Sequence, residues 1–311
     1  MLFRSPNAPL LIAGRFVQAL GAGCGVTLVR AIARDAYGPE QLVKAIAYIT
    51  MFYTLGPMTA PIAGGLLVDY FGWRAAFAFS LFGGVLLLTG AYFVLFETKP
   101  PSREEDKVGL VAGYLNLFSH LRFNCFVMQT GFNTGAFLVV AAGASFLMKE
   151  CLGRPATEYG LWFLAFPLGF LGGNFVSSRL AKGASIEGMV FAGSILSTAT
   201  MVVLSALLAT GNITPATIFI PGFVLTFAQG LSLPFGQAGA MAVNPKLAGT
   251  ASGIGAFMQN FLAAVFAQLF GFLADGTVWP LISVATFSIF CGLVCGFLPW
   301  RQARALAVQK I

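Results

Sequence analysis

Residues 188–209 read GMVFAGSILSTATMVVLSALLA, an apolar stretch that contains no charged side chain. A helix needs about 20 such residues to cross the hydrocarbon core of a bilayer. The sequence contains nine stretches of this kind, and they predict membrane spans at 9–29, 45–67, 75–96, 124–147, 160–180, 188–209, 216–240, 250–273 and 280–299. We therefore expect an all-α, polytopic membrane helix bundle.

The composition supports a chain that is surrounded by lipid. Hydrophobic residues make up 58% of the sequence and charged residues only 9%, whereas a soluble domain carries about 25% charged residues. The net charge of +7 comes from basic residues that are scattered between the apolar stretches. A nucleic-acid surface needs such residues on one face, so the expected partner is the bilayer and not a nucleic acid.

The sequence offers no signal for an enzyme, a metal site or a cofactor. The five cysteines form no CxxC pair, and His120 is the single histidine. Neither an HExxH zinc motif nor a GxxxxGK[ST] phosphate loop is present. We expect no catalytic residues, no metal and no cofactor.

The basic residues also predict the orientation of the helices. Alternate loops, counted with the C-terminal tail, hold thirteen Lys and Arg residues, and the other set of loops holds four. Loops that stay in the cytoplasm carry the excess of Lys and Arg. This uneven distribution of basic residues predicts that the C-terminus lies in the cytoplasm.

The longest connection divides the chain into two sets of spans. We expect three helices in residues 1–98, a cytoplasmic linker in 99–122, and a six-helix bundle with a cytoplasmic tail in 123–311. In the linker, apolar residues recur at helical spacing, namely Val108, Val111, Leu115, Phe118 and Leu121. They predict a short amphipathic helix on the membrane surface, or residues that pack against the loop.

An internal repeat relates the two sets of spans. Gly65-Leu66-Leu67-Val68-Asp69 followed by Trp73 is echoed 206 residues later by Gly271-Phe272-Leu273-Ala274-Asp275 followed by Trp279. Phe16-Val17 is echoed by Phe223-Val224 at an offset of 207. Related halves are common in transporters. If the halves are equivalent, three helices are expected to be missing before Met1.

Several motifs resemble those of the major facilitator superfamily. Residues 14–23, GRFVQALGAG, resemble the Arg-x-x-Gln-Gly-x-Gly signature of the fourth helix of its drug antiporters, with Ala19 in place of a glycine. Residues 56–65, GPMTAPIAGG, are similar to the antiporter signature of the fifth helix. Residues 69–74 and 245–253 resemble the Bcr/CflA drug-resistance subgroup.

The resemblance implies a fold of twelve helices in two bundles, of which this chain supplies the fourth to the twelfth. It also implies a multi-pass protein of the bacterial inner membrane that couples protons to the efflux of drugs or other small hydrophobic compounds. Two alternatives remain open, which are transport of one specific polar metabolite in either direction and a non-transporting truncated fragment.

Three residues are candidates for proton coupling. A guanidinium within an apolar span costs at least about 2.5 kcal/mol unless it finds a partner or water, so Arg15 is expected to be functional, although it could also reach the membrane surface. The resemblance links this arginine to proton transfer. Gln18 lies one turn further on the same helix face, and Asp69 is the third candidate, with anchoring of a helix end as its alternative.

The antiporter-like helix combines prolines with closely spaced glycines: Gly56, Pro57, Pro61, Gly64 and Gly65. Proline bends a helix, and small residues let another helix approach closely. We expect a kinked packing surface here, and only the resemblance links it to antiport.

A candidate substrate cavity follows from polar and aromatic residues near the middle of the later spans. Polar amides at membrane depth usually face the protein interior. The candidates are Gln129, Asn133, Phe137, Trp162, Phe166, Gln229, Met258 and Gln259.

Overall fold

A computed structural model describes residues 8–94, 110–154, 156–211 and 213–308. Within these ranges every regular element is helical and no strand occurs. The elements are α1 (Ala8–Phe71), α2 (Trp73–Val94), α3 (Leu110–Ser119), α4 (Leu121–Phe146), α5 (Ala156–Phe163), α6 (Ala165–Leu180), α7 (Ile186–Ala209), α8 (Pro215–Val243), α9 (Ala248–Leu273) and α10 (Trp279–Val308). A π-helical turn, Leu147–Cys151, extends α4, and a 3₁₀ turn, Pro245–Leu247, precedes α9.

The first helix contains two of the predicted spans. At 1.5 Å per residue its 64 residues would measure roughly 96 Å, about three times the thickness of the hydrocarbon core. The helix is broken at Gly38, where φ is 67° and ψ is 173°, a conformation that glycine adopts without steric cost. The described residues hold eight apolar helical stretches long enough to cross a membrane, and the first, Pro9–Thr59, covers both sides of this break.

The predicted span 160–180 is divided by a proline. Helices α5 and α6 are separated at Leu164, and Pro167 follows in the first turn of α6. Proline has no N–H, and its ring collides with the carbonyl four residues earlier, which here is that of Phe163. The regular ladder therefore stops before Leu164, and Leu168 N–H bonds to the Leu164 carbonyl as the helix resumes.

Helices α4 to α10 pack into one bundle whose buried apolar residues form two clusters. Capping sets two of the helix starts: the Ser185 hydroxyl accepts from Gly188 N–H at α7, and Thr214 and Thr217 form a reciprocal capping box at α8. The fully buried core side chains include Phe166, Phe219 and Met201. The bundle is thus held by apolar packing between helices whose ends are locally defined.

Helices α6 and α8 approach each other through glycines. A Cβ placed on Gly169 would lie 2.2 Å from the Phe223 carbonyl oxygen, and one on Gly173 would lie 2.0 Å from that of Phe227. On the facing helix, a Cβ on Gly230 would lie 2.3 Å from the Phe170 oxygen. Each glycine lets backbone meet backbone, as small residues do in membrane helix pairs.

One end of the bundle, which we call the basic end, carries Arg122, Arg179, Lys182, Lys246, Arg301 and Arg304. At this end Arg122 forms an ion pair with Glu187, and the Asn244 amide donates to Asn116 Oδ1 at 2.9 Å. The first contact joins the start of α4 to the start of α7, and the second joins α3 to the turn between α8 and α9. The linker helix is therefore attached to the basic end.

Helix α3 lies within the predicted linker, while Val108 lies outside the described residues. The location of α3 on the membrane surface stays a prediction. Its other apolar residues stay exposed: Val111 (74%), Leu115 (67%) and Phe118 (45%), with Leu121 at the start of α4 (47%). The ring of Phe118 meets that of the buried Phe123 at 6.0 Å. The loop named in the alternative lies outside the described residues, so packing against it stays a prediction.

Candidate functional site

Helix α1 meets the α4–α10 bundle through an apolar contact at the basic end. We call this contact the closure cluster; it joins Ala33, Leu42, Val43 and Ile46 of α1 to Phe126, Val127, Phe235, Met241, Ala251 and Ile254 of the bundle. Each of these side chains is at most 6% exposed. Nearer its start, α1 is open, with Phe16, Val17 and Leu20 all more than half exposed. The described contact thus closes the basic end and leaves the first turns of α1 uncovered.

Three polar side chains meet near the middle of α4, α8 and α9, and we call them the amide cluster. Gln229 Nε2 donates to Thr134 Oγ1 at 2.9 Å, and Gln259 Nε2 donates to the same oxygen at 3.3 Å. Thr134 Oγ1 in turn donates to the Thr130 carbonyl at 2.8 Å. A hydroxyl has one hydrogen and two lone pairs, so all of its hydrogen-bonding capacity is used. Two predicted cavity residues, Gln229 and Gln259, are therefore brought together.

Two other predicted cavity residues on α4 face different neighbours. Gln129 is fully buried, and its Nε2 donates to Ser194 Oγ on α7 at 3.1 Å. Asn133 is 3% exposed and lies beside Gly292 of α10. Gln129 also lies near Gly236 of α8. Neither residue bonds to the amide cluster, and of the two only Asn133 faces α10. Contact of either residue with substrate remains a prediction.

The predicted aromatic candidates form a packed cluster between α4, α5, α6 and α8. The rings of Phe137 and Phe166 meet edge to face at 5.8 Å, and Trp162 stacks on Phe219 at 5.9 Å. Phe166 and Phe219 are at most 1% exposed, whereas Phe137 and Trp162 are half-buried. This region is filled with side chains, and Phe137 and Trp162 are among its half-buried rings. Contact of these rings with a solute remains a prediction.

The last cavity candidate, Met258, lies beside both clusters on α9. It is half-buried and packs against the closure cluster. Its neighbour Gln259 belongs to the amide cluster. The closure cluster and the amide cluster therefore adjoin each other along α9.

Arg15 and Gln18 interact directly, as their spacing on one helix face allows. Arg15 Nη1 donates to Gln18 Oε1 at 2.8 Å, and the guanidinium lies 5.6 Å from the ring centroid of Phe77 on α2. Arg15 itself is exposed. The amide oxygen and the π-face compensate part of the cost of the charge. The side chain of Asp69, the third coupling candidate, lies outside the described residues.

The predicted packing surface of the antiporter-like helix is described only at its start. No described atom lies within 4 Å of a Cβ placed on Gly56, and Pro57 is exposed. The surroundings of Pro61, Gly64 and Gly65 lie outside what the structure describes. The helix that would pack on this surface is not found within the described part of the chain.

The echo of Asp69 in the second half, Asp275, lies in the turn between α9 and α10. Its carboxylate accepts from Thr277 N–H at 2.9 Å and from Thr277 Oγ1 at 2.7 Å. These hydrogen bonds lower the pKa of the Asp275 carboxyl. Asp275 thus anchors the turn that leads into α10.

Three polar residues at these contacts are not among the predicted site residues. Thr134 was overlooked because a threonine inside a span can satisfy its hydroxyl on its own helix. Gln237 could have been found by the rule that selected Gln229, since both amides lie within the predicted span 216–240. Arg30 was assigned to a loop, whereas the structure places it on α1 against the bundle. No group of three potential metal ligands occurs within the described ranges.

Comparison with known proteins identifies relatives over most of the chain. Multidrug resistance protein D of Escherichia coli K12 is 28% identical over 263 residues, which cover 84% of this chain and 65% of that protein. The bicyclomycin resistance protein homolog of Haemophilus influenzae is 26% identical over 273 residues, which cover 86% and 68%. The chain thus spans about two thirds of the length of these relatives.

The fold also has a counterpart among solved structures. The crystal structure of FucP, a major facilitator superfamily transporter in the outward conformation, matches with a TM-score of 0.72 at 14% identity. The match covers 93% of this chain and 76% of FucP. The family model of the Major Facilitator Superfamily matches residues 1–267. The chain belongs to the Major Facilitator Superfamily.

Proposed function

We propose that the intact protein is a secondary transporter that exports small, mostly hydrophobic drugs or toxic compounds in exchange for protons. The observation that carries this proposal is the similarity over most of the chain to proteins named for multidrug and bicyclomycin resistance. The closure cluster supports it, because a solute path between two moving parts needs an apolar contact that can open.

In this proposal the half-buried faces of the amide cluster and of the aromatic cluster contact the solute. Gln259, Phe137 and Trp162 are half-buried, so they combine a hydrogen-bonding group with adaptable aromatic surface. Such a lining suits apolar solutes that carry a few polar groups. Gln129 bonds α4 to α7, and Asn133 lies beside Gly292 of α10.

Arg15 is the proposed coupling residue, with Gln18 fixing the position of its guanidinium. A guanidinium stays protonated, so its role is to favour the ionised form of a nearby carboxyl until a proton arrives. Asp69 is the carboxyl that we propose for this role.

Cells that express the protein test the proposal. We expect raised tolerance to several unrelated drugs, lost when the proton gradient is collapsed and in the variant Arg15→Gln. Arg301→Gln is the matched control, since that arginine is exposed near the end of α10, far from Arg15 in the chain, and should leave tolerance unchanged. Equal tolerance of expressing and non-expressing cells across a broad drug panel contradicts the proposal.

A second candidate function is transport of one polar metabolite. The amide cluster favours it, because two amides at mid-depth provide more hydrogen bonding than an apolar drug needs. Competition assays separate the two functions. Displacement of every bound drug by one metabolite at low concentration supports metabolite transport. Mutual competition among unrelated drugs supports drug efflux.

We further propose that the basic end faces the cytoplasm of a bacterium, within the inner membrane. In a background without native cysteines, a single cysteine in place of Lys182 should react with a thiol reagent only after the cytoplasmic side is exposed. A cysteine in place of Thr210, at the opposite end of α7, should react from outside. The reverse pattern contradicts this orientation.

A further inference from the structure

A narrow pocket lies where α1 meets the bundle, beside the closure cluster. Arg30 of α1 forms one side, and Thr130 of α4, Gln237 of α8 and Ser252 of α9 lie on the other. Apolar side chains, Phe126 among them, complete the wall. The pocket therefore combines one cationic group with several polar ones in largely apolar surroundings.

Gln237 has no hydrogen-bond partner among the described residues. Its side chain is only 8% exposed, and both Nε2 and Oε1 are buried and unpaired. Buried amides in folded proteins are almost always hydrogen-bonded, and an exception calls for an explanation. A ligand that accepts a hydrogen bond from Nε2 provides one.

Arg30 lacks a counter-ion within the described part of the chain. The ion pairs found there are Arg34–Asp35, Arg122–Glu187, Lys149–Glu150 and Arg154–Glu158. A guanidinium has five N–H donors and no acceptor. In apolar surroundings its attraction for a negative charge is stronger than in water.

The two groups together specify the chemistry of the ligand. Arg30 and Gln237 Nε2 both donate, so a complementary group presents acceptor oxygens to them, while Gln237 Oε1 is itself an acceptor and pairs only with a ligand that also carries a hydroxyl. The guanidinium favours a negative charge and repels a cation. A carboxylate or a phosphate meets both conditions, and a guanidinium can bind either with two parallel hydrogen bonds.

We propose that this pocket binds the anionic oxygen group, carboxylate or phosphate, of a solute that the protein carries. The proposal rests on the proposed transport function, because it specifies a class of solute for it. Since Arg30 belongs to α1 and Gln237 to the bundle, the bound anion links the two parts at the basic end. An acidic solute thereby stabilises this contact, whereas an uncharged one does not.

A thermal-shift titration of the purified chain in a non-ionic detergent tests the site. The probes are benzoate and phenyl phosphate, with benzamide and benzylammonium as uncharged and cationic counterparts of similar size. We expect the two anions to raise the unfolding temperature in a saturable way and the other two probes to leave it unchanged. Equal shifts with all four probes, or no shift with the anions, overturn the proposal.

Three variants assign the binding to the pocket. Arg30→Gln and Gln237→Leu should each weaken anion binding at least tenfold. Gln237→Leu should not lower the unfolding temperature of the free protein, because it removes an unpaired amide. Arg34→Gln is the matched control, since Arg34 lies one turn further on α1 beside Asp35, and it should bind the anions as the unchanged protein does. Full binding in Arg30→Gln overturns the proposal.

The same oxygen chemistry occurs in lipid headgroups, and nanodiscs distinguish the two sources. Benzoate should bind equally well in phosphatidylcholine discs and in discs that contain phosphatidylglycerol. Loss of benzoate binding in discs that contain phosphatidylglycerol would show that the lipid headgroup occupies the pocket. That result overturns the proposal that the pocket binds a carried solute. Anion binding without any drug efflux contradicts only the transport function, and efflux of uncharged drugs without anion binding contradicts only this site.

Discussion

The contact between α6 and α8 can be tested with two adjacent glycines. A Cβ on Gly173 would lie 2.0 Å from the Phe227 carbonyl oxygen and 2.9 Å from the Leu231 nitrogen, both backbone atoms. A Cβ on Gly172 would meet only the Phe227 ring, at 3.4 Å. The first contact forces the two helices apart by roughly 1 Å, whereas the second is an ordinary van der Waals contact.

We therefore expect Gly173→Ala to destabilise the protein and Gly172→Ala to leave its stability equal or slightly raised. Both variants gain up to about 1 kcal/mol in helix propensity, which cancels when they are compared. Overpacking typically costs about 1–3 kcal/mol. The free energies of unfolding of the two variants should differ by about that amount, with Gly173→Ala the less stable.

The assay is reversible unfolding of the purified chain in mixed micelles, followed by far-ultraviolet circular dichroism. Equal stability of the two alanine variants refutes the close approach of α6 and α8. A greater loss of stability in Gly172→Ala refutes the placement of Gly173, rather than Gly172, against the backbone of α8.

Two further predictions concern the amide cluster and the turn at Asp275. Thr134→Val removes the acceptor of two amides and should lower the free energy of unfolding by about 1–2 kcal/mol. The control is Thr198→Val, whose hydroxyl bonds only to its own helix, and it should lower that free energy by less than half as much in the same assay. Equal losses in the two variants contradict the amide cluster. The pKa of the Asp275 carboxyl is lowered in the folded state, so its stabilising effect is complete above the unfolded-state pKa and is lost as the pH falls through the folded-state value. Asp275→Asn should therefore flatten the acid limb of a stability–pH profile, and an unchanged limb contradicts this contribution.

The positions of the spans could be predicted from the sequence because apolar length is a local property. The stretch 188–209 became α7, Ile186–Ala209, and 216–240 became α8, Pro215–Val243. The division of α5 from α6 was equally accessible, since Pro167 is visible in the sequence. Composition thus locates these spans, whereas proline alone does not locate the breaks, since Pro221 and Pro234 lie inside the continuous helix α8.

The rotation of each helix could not be predicted in this way. Gln129 and Thr134 lie a little more than one turn apart on α4, yet one bonds to α7 and the other accepts from α8 and α9. Which side faces which neighbour depends on how the helices pack. Arg30 lies one residue beyond the predicted span 9–29, yet the helix continues through it and places it against the bundle.

Proton-driven drug movement in proteoliposomes tests the central claim most directly. With an imposed pH gradient, vesicles that contain the protein should move a fluorescent drug, and the movement should stop when the gradient is collapsed. Gln259→Ala should raise the KM for the drug several-fold, and Ser197→Ala, a buried residue of α7, should not. A rate equal to that of protein-free vesicles, with or without the gradient, contradicts the account.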